Sequence, residues 1–228
     1  MKFTSTLIKG KLIKRYKRFF ADIKVNNQII TAHCPNTGSM MGLLDKDNEV
    51  WVTKNKNPNR KLKYTLEIIK VKKNLIGVNT HRANRIVEHA LKNKRINEFK
   101  KIKLIKPEFK FSKDTRFDFL CDKKIIEVKN VTLSRNNKVA EFPDAITSRG
   151  TKHLLKLVDS IKKKYVPYVL FLTQIQTIEY FRIARDIDHN YYENYLLAKK
   201  AGVNFLAYRC DISSKEIKIE KKIKIVDE

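Results

Sequence analysis

The chain has few of the residues that punctuate or cross-link a fold: among 228 residues there are 6 glycines, 5 prolines and 3 cysteines. So little Gly and Pro, with 42% apolar residues and no run of like residues, excludes a low-complexity chain and points to a globular one. Cys34, Cys121 and Cys210 are odd in number and far apart, with no CxxC and no Cys/His pattern of zinc-site spacing. A disulfide framework is excluded, and a reducing compartment, the cytoplasm, is expected. No window approaches the roughly 18 apolar residues of a membrane span. Lys9, Lys11, Lys14 and Arg15 also interrupt every apolar stretch near Met1, so neither a membrane partner nor a signal peptide is expected. Acidic residues are scarce: 24 Asp+Glu stand against 50 Lys+Arg, a net charge of +26. That excess favours a polyanionic partner, nucleic acid first, with salt-dependent affinity. The lysines accompany many Ile and Asn residues, as codon bias in an AT-rich genome also produces, so charge alone leaves a functional basic face and compositional drift equally open.

Two kinds of periodicity divide the chain. Up to about Thr80 it reads as short strands: Leu12–Phe20 running into Phe19–Val25, then Gln28–His33, Glu49–Thr53, Leu62–Val71 and Leu75–Val78. Turn chemistry such as Asn26-Asn27 and Pro35-Asn36-Thr37-Gly38 separates them, and no helix intervenes. Short strands in so few residues suggest a small OB-like β-barrel, which closes a sheet economically. Near Asn79–His81 the period changes, and Ile86, Val87, Ala90, Leu91 and Ile96 mark a helix over Asn84–Phe99. Residues 1–80 are therefore assigned to an OB-like nucleic-acid-binding domain and 81–228 to a second domain. There, strands are expected at Ile102–Ile105, Phe109–Phe111, Arg116–Cys121, Lys124–Thr132, Tyr168–Leu172 and Val203–Tyr208. Helices are expected over Thr147–Lys163, with Leu154, Leu155, Val158 and Ile161 as its apolar stripe, and over Tyr191–Lys200; Glu216–Val226 reads as an edge hairpin. The whole is a two-domain α+β or α/β protein whose second domain is a mixed sheet with flanking helices.

The residues that carry chemistry lie in Arg116-Phe117-Asp118-Phe119-Leu120 and Ile125-Ile126-Glu127-Val128-Lys129. Strand residues two apart share a face, so Glu127 and Lys129 project together while Ile126 and Val128 enter a core on the other side. A hairpin can set Asp118 beside them. Asp118 and Glu127 then offer hard oxygen ligands to Mg²⁺ or Mn²⁺, with Lys129 stabilising developing negative charge, as in a D…ExK nuclease core. The competing reading is a solvated ion pair, common in a Lys-rich chain; the strongly apolar strand around Glu127 and Lys129 argues against it.

Other segments suggest nucleic-acid contacts. Thr147 or Ser148 can cap a helix whose first turns carry Arg149, Lys152 and His153, a phosphate-attracting helix start, or simply a capped helix with a basic end. Arg15-Tyr16-Lys17-Arg18-Phe19-Phe20 interleaves aromatics with cations, which suits stacking on bases while tracking phosphates; the alternative is a strand with Tyr16 and Phe20 in the core and the cations in solvent. His33-Cys34 lacks the further ligands or base that a metal site or a nucleophilic cysteine needs.

The chain resembles the sugar fermentation stimulation protein family (SfsA). The resemblance rests on blocks in order from about residue 10 to about 210, among them Arg15-Tyr16-Lys17-Arg18-Phe19, His33-Cys34-Pro35-Asn36-Thr37-Gly38, Val78-Asn79-Thr80, Ala83-Asn84-Arg85, Arg116-Phe117-Asp118-Phe119, Ile126-Glu127-Val128-Lys129-Asn130-Val131-Thr132-Leu133, Phe142-Pro143-Asp144-Ala145, Lys152-His153-Leu154 and Leu206-Ala207-Tyr208. It implies an OB-like domain joined to a PD-(D/E)xK nuclease-like domain, DNA as partner and a part in regulating sugar catabolism. It also makes Asp118, Glu127 and Lys129 matched positions. The family's first helix carries a Glu just before Ala; here His89 stands there, with Glu88 one position earlier as a substitute metal ligand. The reading favoured is a DNA-binding regulator, with an active Mg²⁺- or Mn²⁺-dependent DNA endonuclease as the alternative; a sugar-metabolite sensor is a third, for which no sugar-binding constellation is visible. Homo-oligomerisation is left open.

Overall fold

A computed structural model of the chain describes residues 1–57, 59–136 and 138–226. The first unit is built from β1 (Ile8–Tyr16), β2 (Phe20–Val25), β3 (Gln28–His33), β4 (Glu49–Lys54) and β5 (Tyr64–Val71). β1 pairs antiparallel with both β2 and β4, β2 with β3, and β4 with β5. A short parallel contact between β3 and β5 closes the five strands into the expected OB barrel. Period-two alternation fills its interior: Leu12, Ala21, Ile23, Ala32, Val50, Val52 and Leu66 are all fully buried. β6 (Asn74–Gly77) folds back on β5 and leads out.

A 3₁₀ turn at Thr80–Arg82 runs into α1 (Ala83–Lys92). The helix stops short of the expected Phe99. Asn93 Nδ2 donates to the His89 carbonyl at 2.7 Å, and Lys94 adopts φ 54°, the left-handed conformation that ends helices. Phe99 enters the core from a separate 3₁₀ turn, Asn97–Phe99.

The second unit contains β7 (Ile105–Lys110), β8 (Arg116–Cys121), β9 (Lys124–Val131), β10 (Leu133–Asn136), β11 (Val139–Phe142), α2 (Ser148–Lys162), β12 (Val166–Thr173), β13 (Tyr180–Ile183), α3 (His189–Lys200), β14 (Asn204–Ile212) and β15 (Ile217–Ile225). The strands form one mixed sheet in the order β10-β11-β13-β15-β14-β12-β9-β8-β7. Central β12 runs parallel to both β9 and β14, and its Val169, Leu170, Phe171 and Leu172 are fully buried because helices cover both faces. Leu154, Leu157, Tyr191 and Tyr195 of α2 and α3 pack with Phe171 on one side; Ile86 and Val87 of α1 pack with Ile126, Val128 and Leu170 on the other.

Several elements differ from the sequence reading. In place of strands at Ile102–Ile105 and Phe109–Phe111 there is one strand, β7 (Ile105–Lys110), which leaves residues 102–104 and 111 outside it and lies at the sheet's edge, where Pro107 forfeits no ladder bond. Glu216–Val226 holds no hairpin. It is the single strand β15, inside the sheet between β13 and β14. It runs parallel to β13 and antiparallel to β14, and a register shift against β14 moves its buried isoleucines from the α1-side core (Ile217, Ile219) to the α2-side core (Ile223). β10, β11 and β13, each of four residues, escape periodicity because so short a segment shows less than two full repeats of side-chain pattern. On α2, Leu155 is 49% exposed, and Leu157 takes its place in the core.

Polar bonds tie the units together. Buried Glu67 on β5 receives Arg82 Nε at 3.1 Å, Arg82 Nη2 at 2.7 Å and Asn79 Nδ2 at 2.9 Å. At the other end the first residues leave the barrel: the Met1 ammonium donates to the Ile217 carbonyl at 2.6 Å, and Lys2 bridges to Glu216. Residues 1–3 thus pair with the second unit.

Candidate functional site

The β8–β9 hairpin pairs Cys121 with Lys124, Leu120 with Ile125 and Phe119 with Ile126, and there its ladder ends. Asp118 stands at that end. Its Oδ2 accepts the Val128 N–H at 2.6 Å, a bond a partner strand's carbonyl would otherwise receive, and its Oδ1 accepts from Asn84 Nδ2 of α1 at 2.7 Å. Phe117 and Phe119 lie in different cores, on the α2 side and the α1 side, so the strand's alternation breaks around Asp118. On β9, Glu127 shares its face with Ile125 and Val131, which belong to the α2-side core. Lys129 Nζ donates to Glu127 Oε1 at 2.7 Å, and His153 Nδ1, from α2, meets the same oxygen.

Burial decides the electrostatics. Asp118 has its carboxyl pushed up to about 6, first by burial and then by the charge of Glu127, with the bonds from Val128 and Asn84 opposing. Glu127 is only 4% exposed, and burial disfavours its charge too, but Lys129 and His153 outweigh that and hold its carboxyl below the usual carboxylate range. Tyr191, on α3, feels the Glu127 charge, and its hydroxyl is buried without a hydrogen bond among the described residues. Two close carboxylates in a dry setting are a donor set for a hard divalent cation, which would relieve their mutual repulsion. The contacts from Lys129 and His153 to Oε1 leave Glu127 Oε2 for such an ion. Among the described residues, no cluster of three or more His, Cys, Asp or Glu side chains is placed to hold a metal. Mg²⁺ tolerates this, because it usually keeps several waters and takes one or two protein carboxylates.

Glu88 does not join the cluster; its carboxylate pairs with Lys92 at 2.5 Å. Helical phase nevertheless favours it over His89. Residues 84 and 88 lie about 40° apart around the helix, whereas 84 and 89 lie about 140° apart. His89 is exposed and within electrostatic range of the N-terminal ammonium.

Beside the carboxylates opens a cleft of about 790 Å³ between the β7–β8 turn and α2. Lys110, Lys113, Arg116, Arg149, Lys152 and Lys156 line it, against Asp114 and Asp159, and His153 belongs to both cleft and cluster. Thr147 caps α2, accepting from Gly150 N at 3.1 Å, so Arg149 and Lys152 project from its first turns. His153 does not stand free beside them: its Nδ1 is engaged by Glu127.

The barrel residues sit elsewhere. Arg15 donates to the carbonyls of Arg18, Asn36 and Gly38, which ties a turn together, and Tyr16 stacks on Phe20 at 5.4 Å with both half-buried. Lys17 and Arg18 are exposed on the β1–β2 turn. Arg15 and Arg18 line a second hollow of about 630 Å³ that reaches Asp144 and Thr147 just before α2. Asn84 and Tyr191 carry no signal of function in the sequence; Asn84 falls within a family-like block but acquires a role only when α1 packs over Asp118.

An OB barrel joined to a mixed sheet, with an Asp, a Glu and a Lys gathered at one hairpin, defines a two-unit protein with a D…ExK cluster. The chain belongs to the sugar fermentation stimulation protein family. Residues 81–216 match the family's "Sugar fermentation stimulation protein RE domain" and residues 13–78 its "SfsA N-terminal OB domain". The sugar fermentation stimulation protein homolog of Pelagibacter ubique is 64% identical over 231 residues, covering 100% of both chains. That of Maricaulis maris is 38% identical, covering 99% of this chain and 98% of its own. Among solved structures, Pyrococcus furiosus SfsA, described in complex with Ca²⁺, superposes with a TM-score of 0.88 at 20% identity, covering 100% of this chain and 98% of that one.

Proposed function

We propose that this protein binds DNA in the cation-lined cleft and hydrolyses its phosphodiester bonds with Mg²⁺ or Mn²⁺ at Asp118 and Glu127. The observation that carries the reading is the junction at His153, where the basic cleft meets the carboxylate pair. Asp118 and Glu127 would hold the cation, which supplies Lewis acidity and an activated water when bound. Lys129 is placed to stabilise charge developing on the phosphoryl oxygens, and His153 with Lys129 fixes the Glu127 carboxylate. Arg149 and Lys152 draw the phosphate backbone toward the site. The description of the Pyrococcus furiosus structure with Ca²⁺, another hard cation, accords with this donor set.

A second reading is a DNA-binding regulator of sugar catabolism that does not cut. It is favoured by the family's name and by the engagement of Glu127 with Lys129 and His153, with no third acidic ligand among the described residues. Incubating plasmid and single-stranded DNA with Mg²⁺ or Mn²⁺ separates the two. Cutting by the unaltered protein should fall at least about 100-fold in Glu127→Ala and Lys129→Ala. Salt-sensitive binding without any cutting would leave only the regulator.

A further inference from the structure

The turn joining β1 to β2 leaves one large aromatic ring in solvent. Phe19 is 44% exposed, and its ring stacks on His33 of β3 with centroids 6.5 Å apart and planes at 19°. His33 in turn lies 6.4 Å from His81, which is exposed at the junction with the second unit. Three rings thus stand in a row on the barrel's outer surface. Cations flank the row: Lys17 and Arg18 adjoin Phe19 on the turn, and Arg60, from the β4–β5 loop, reaches within 3.5 Å of His33 Nδ1. The β1–β2 and β4–β5 loops are where OB barrels place oligonucleotide-binding groups in general.

The row is also fixed in space, and it leads somewhere. Asn79 accepts the His81 N–H at 3.1 Å, Thr80 Oγ1 donates to the Pro35 carbonyl at 2.6 Å, and Arg82 is held by Glu67, so His81 rides on a clamped turn. Asn84, three residues on and so about 5 Å along the helix axis, donates to Asp118. The last ring of the row therefore stands about one helical turn from the residue that touches the carboxylate cluster.

We propose that Phe19, His33 and His81 form a stacking platform for the unpaired bases of single-stranded DNA, with Arg18 and Arg60 on its phosphates, and that a strand held there continues past the start of α1 to Asp118. This deepens the reading above, on which it rests, by naming DNA with a single-stranded segment as the preferred substrate. Aromatic faces accept any base, so the platform selects for strandedness and not for sequence.

Fluorescence anisotropy with labelled oligo-dT, oligo-U and a duplex of equal length tests it, using the full chain. Phe19→Ala should weaken oligo-dT binding about tenfold and leave the duplex within about twofold, since one base–aromatic stack is lost. Phe19→Trp should retain affinity, with its emission quenched by the bound oligonucleotide, and His81→Ala should weaken oligo-dT in the same direction as Phe19→Ala. An unchanged thermal midpoint in each variant shows that the fold is intact. If the unaltered protein binds none of the three at low salt, the DNA-binding reading and the platform fall together. If it binds DNA but Phe19→Ala and His81→Ala leave oligo-dT affinity unchanged, or weaken duplex equally, the platform alone is overturned. Preference for oligo-U over oligo-dT would also overturn it.

Discussion

Gly38 shows how much a single position can be asked to accommodate. A Cβ built there would lie 1.9 Å from Asp144 Oδ2, across the boundary between the barrel and the segment that enters α2. The Asp144 carboxyl is buried and so raised in pKa, although backbone groups of Met40 and Ser39 bond to it. Gly38→Ala should therefore destabilise the protein by about 1–3 kcal/mol, read from the urea midpoint. Asp144→Ala in the same chain should recover part of that loss, and an additive double-mutant cycle would refute the clash. Glu141 makes a different demand. Its side chain is fully buried, which disfavours its charge, but Arg135 and Arg182, each 2.8 Å away, outweigh burial and hold its carboxyl below the ordinary value of 4.5. A depressed folded pKa stabilises the protein above the unfolded value, and that stabilisation is lost as pH falls through the folded one. Urea titrations from about pH 7 to about pH 3 should show a smaller pH-dependent loss in Glu141→Gln than in the unaltered chain. Asp118, Glu127 and Lys129 were the most legible of the candidate residues: strand periodicity puts Glu127 and Lys129 on one face of β9, and one tight hairpin brings Asp118 near them, where bonds from Val128 and Asn84 set its carboxylate. Asn84 and the His153–Glu127 contact were not legible, because each spans more than 25 residues of chain that only packing closes.

At the scale of elements, α2 tests the packing most directly. Leu157 is fully buried among the residues of the α2-side core, whereas Leu155 points to solvent from the cleft's edge. Leu157→Ala should cost about 2–5 kcal/mol, and Leu155→Ala should stay within about 0.5 kcal/mol, both measured by thermal or urea unfolding. Reversed magnitudes would mean that α2 is rotated from the orientation that brings His153 to Glu127. Helix periodicity identifies an apolar stripe on α2 but leaves its centre open, since Leu154, Leu155 and Leu157 crowd one turn. β15 teaches the complementary lesson. Its Ile/Lys alternation marks buried isoleucines but not one face: Ile217 and Ile219 enter the α1-side core and Ile223 the α2-side core, because the pairing with β14 shifts register between Arg209 and Cys210. Whether a strand lies at an edge is decided by backbone pairing on both sides, to which side-chain alternation is blind.

Over the whole molecule, charge should govern affinity. The cleft's six Lys and Arg residues face two acids, so binding should release counterions in proportion to the phosphates neutralised. If about six phosphates are engaged, affinity should fall about 10³-fold between about 50 and 200 mM salt. Arg149→Glu combined with Lys152→Glu should flatten that dependence, whereas a slope unchanged by the pair would place the DNA elsewhere on this basic surface. The sequence by itself determined the barrel, the mixed sheet, most of the long elements and the D…ExK triplet, because each is written in local periodicity, turn chemistry or residues one hairpin apart. Only the tertiary structure decided how β3 meets β5 to close the barrel, that α1 covers Asp118 with Asn84, that α2 delivers His153 to Glu127, and that Phe19, His33 and His81 fall in one row. Those contacts join residues distant along the chain, and their partners are selected by how whole faces of helices and sheets fit together, which no local pattern encodes.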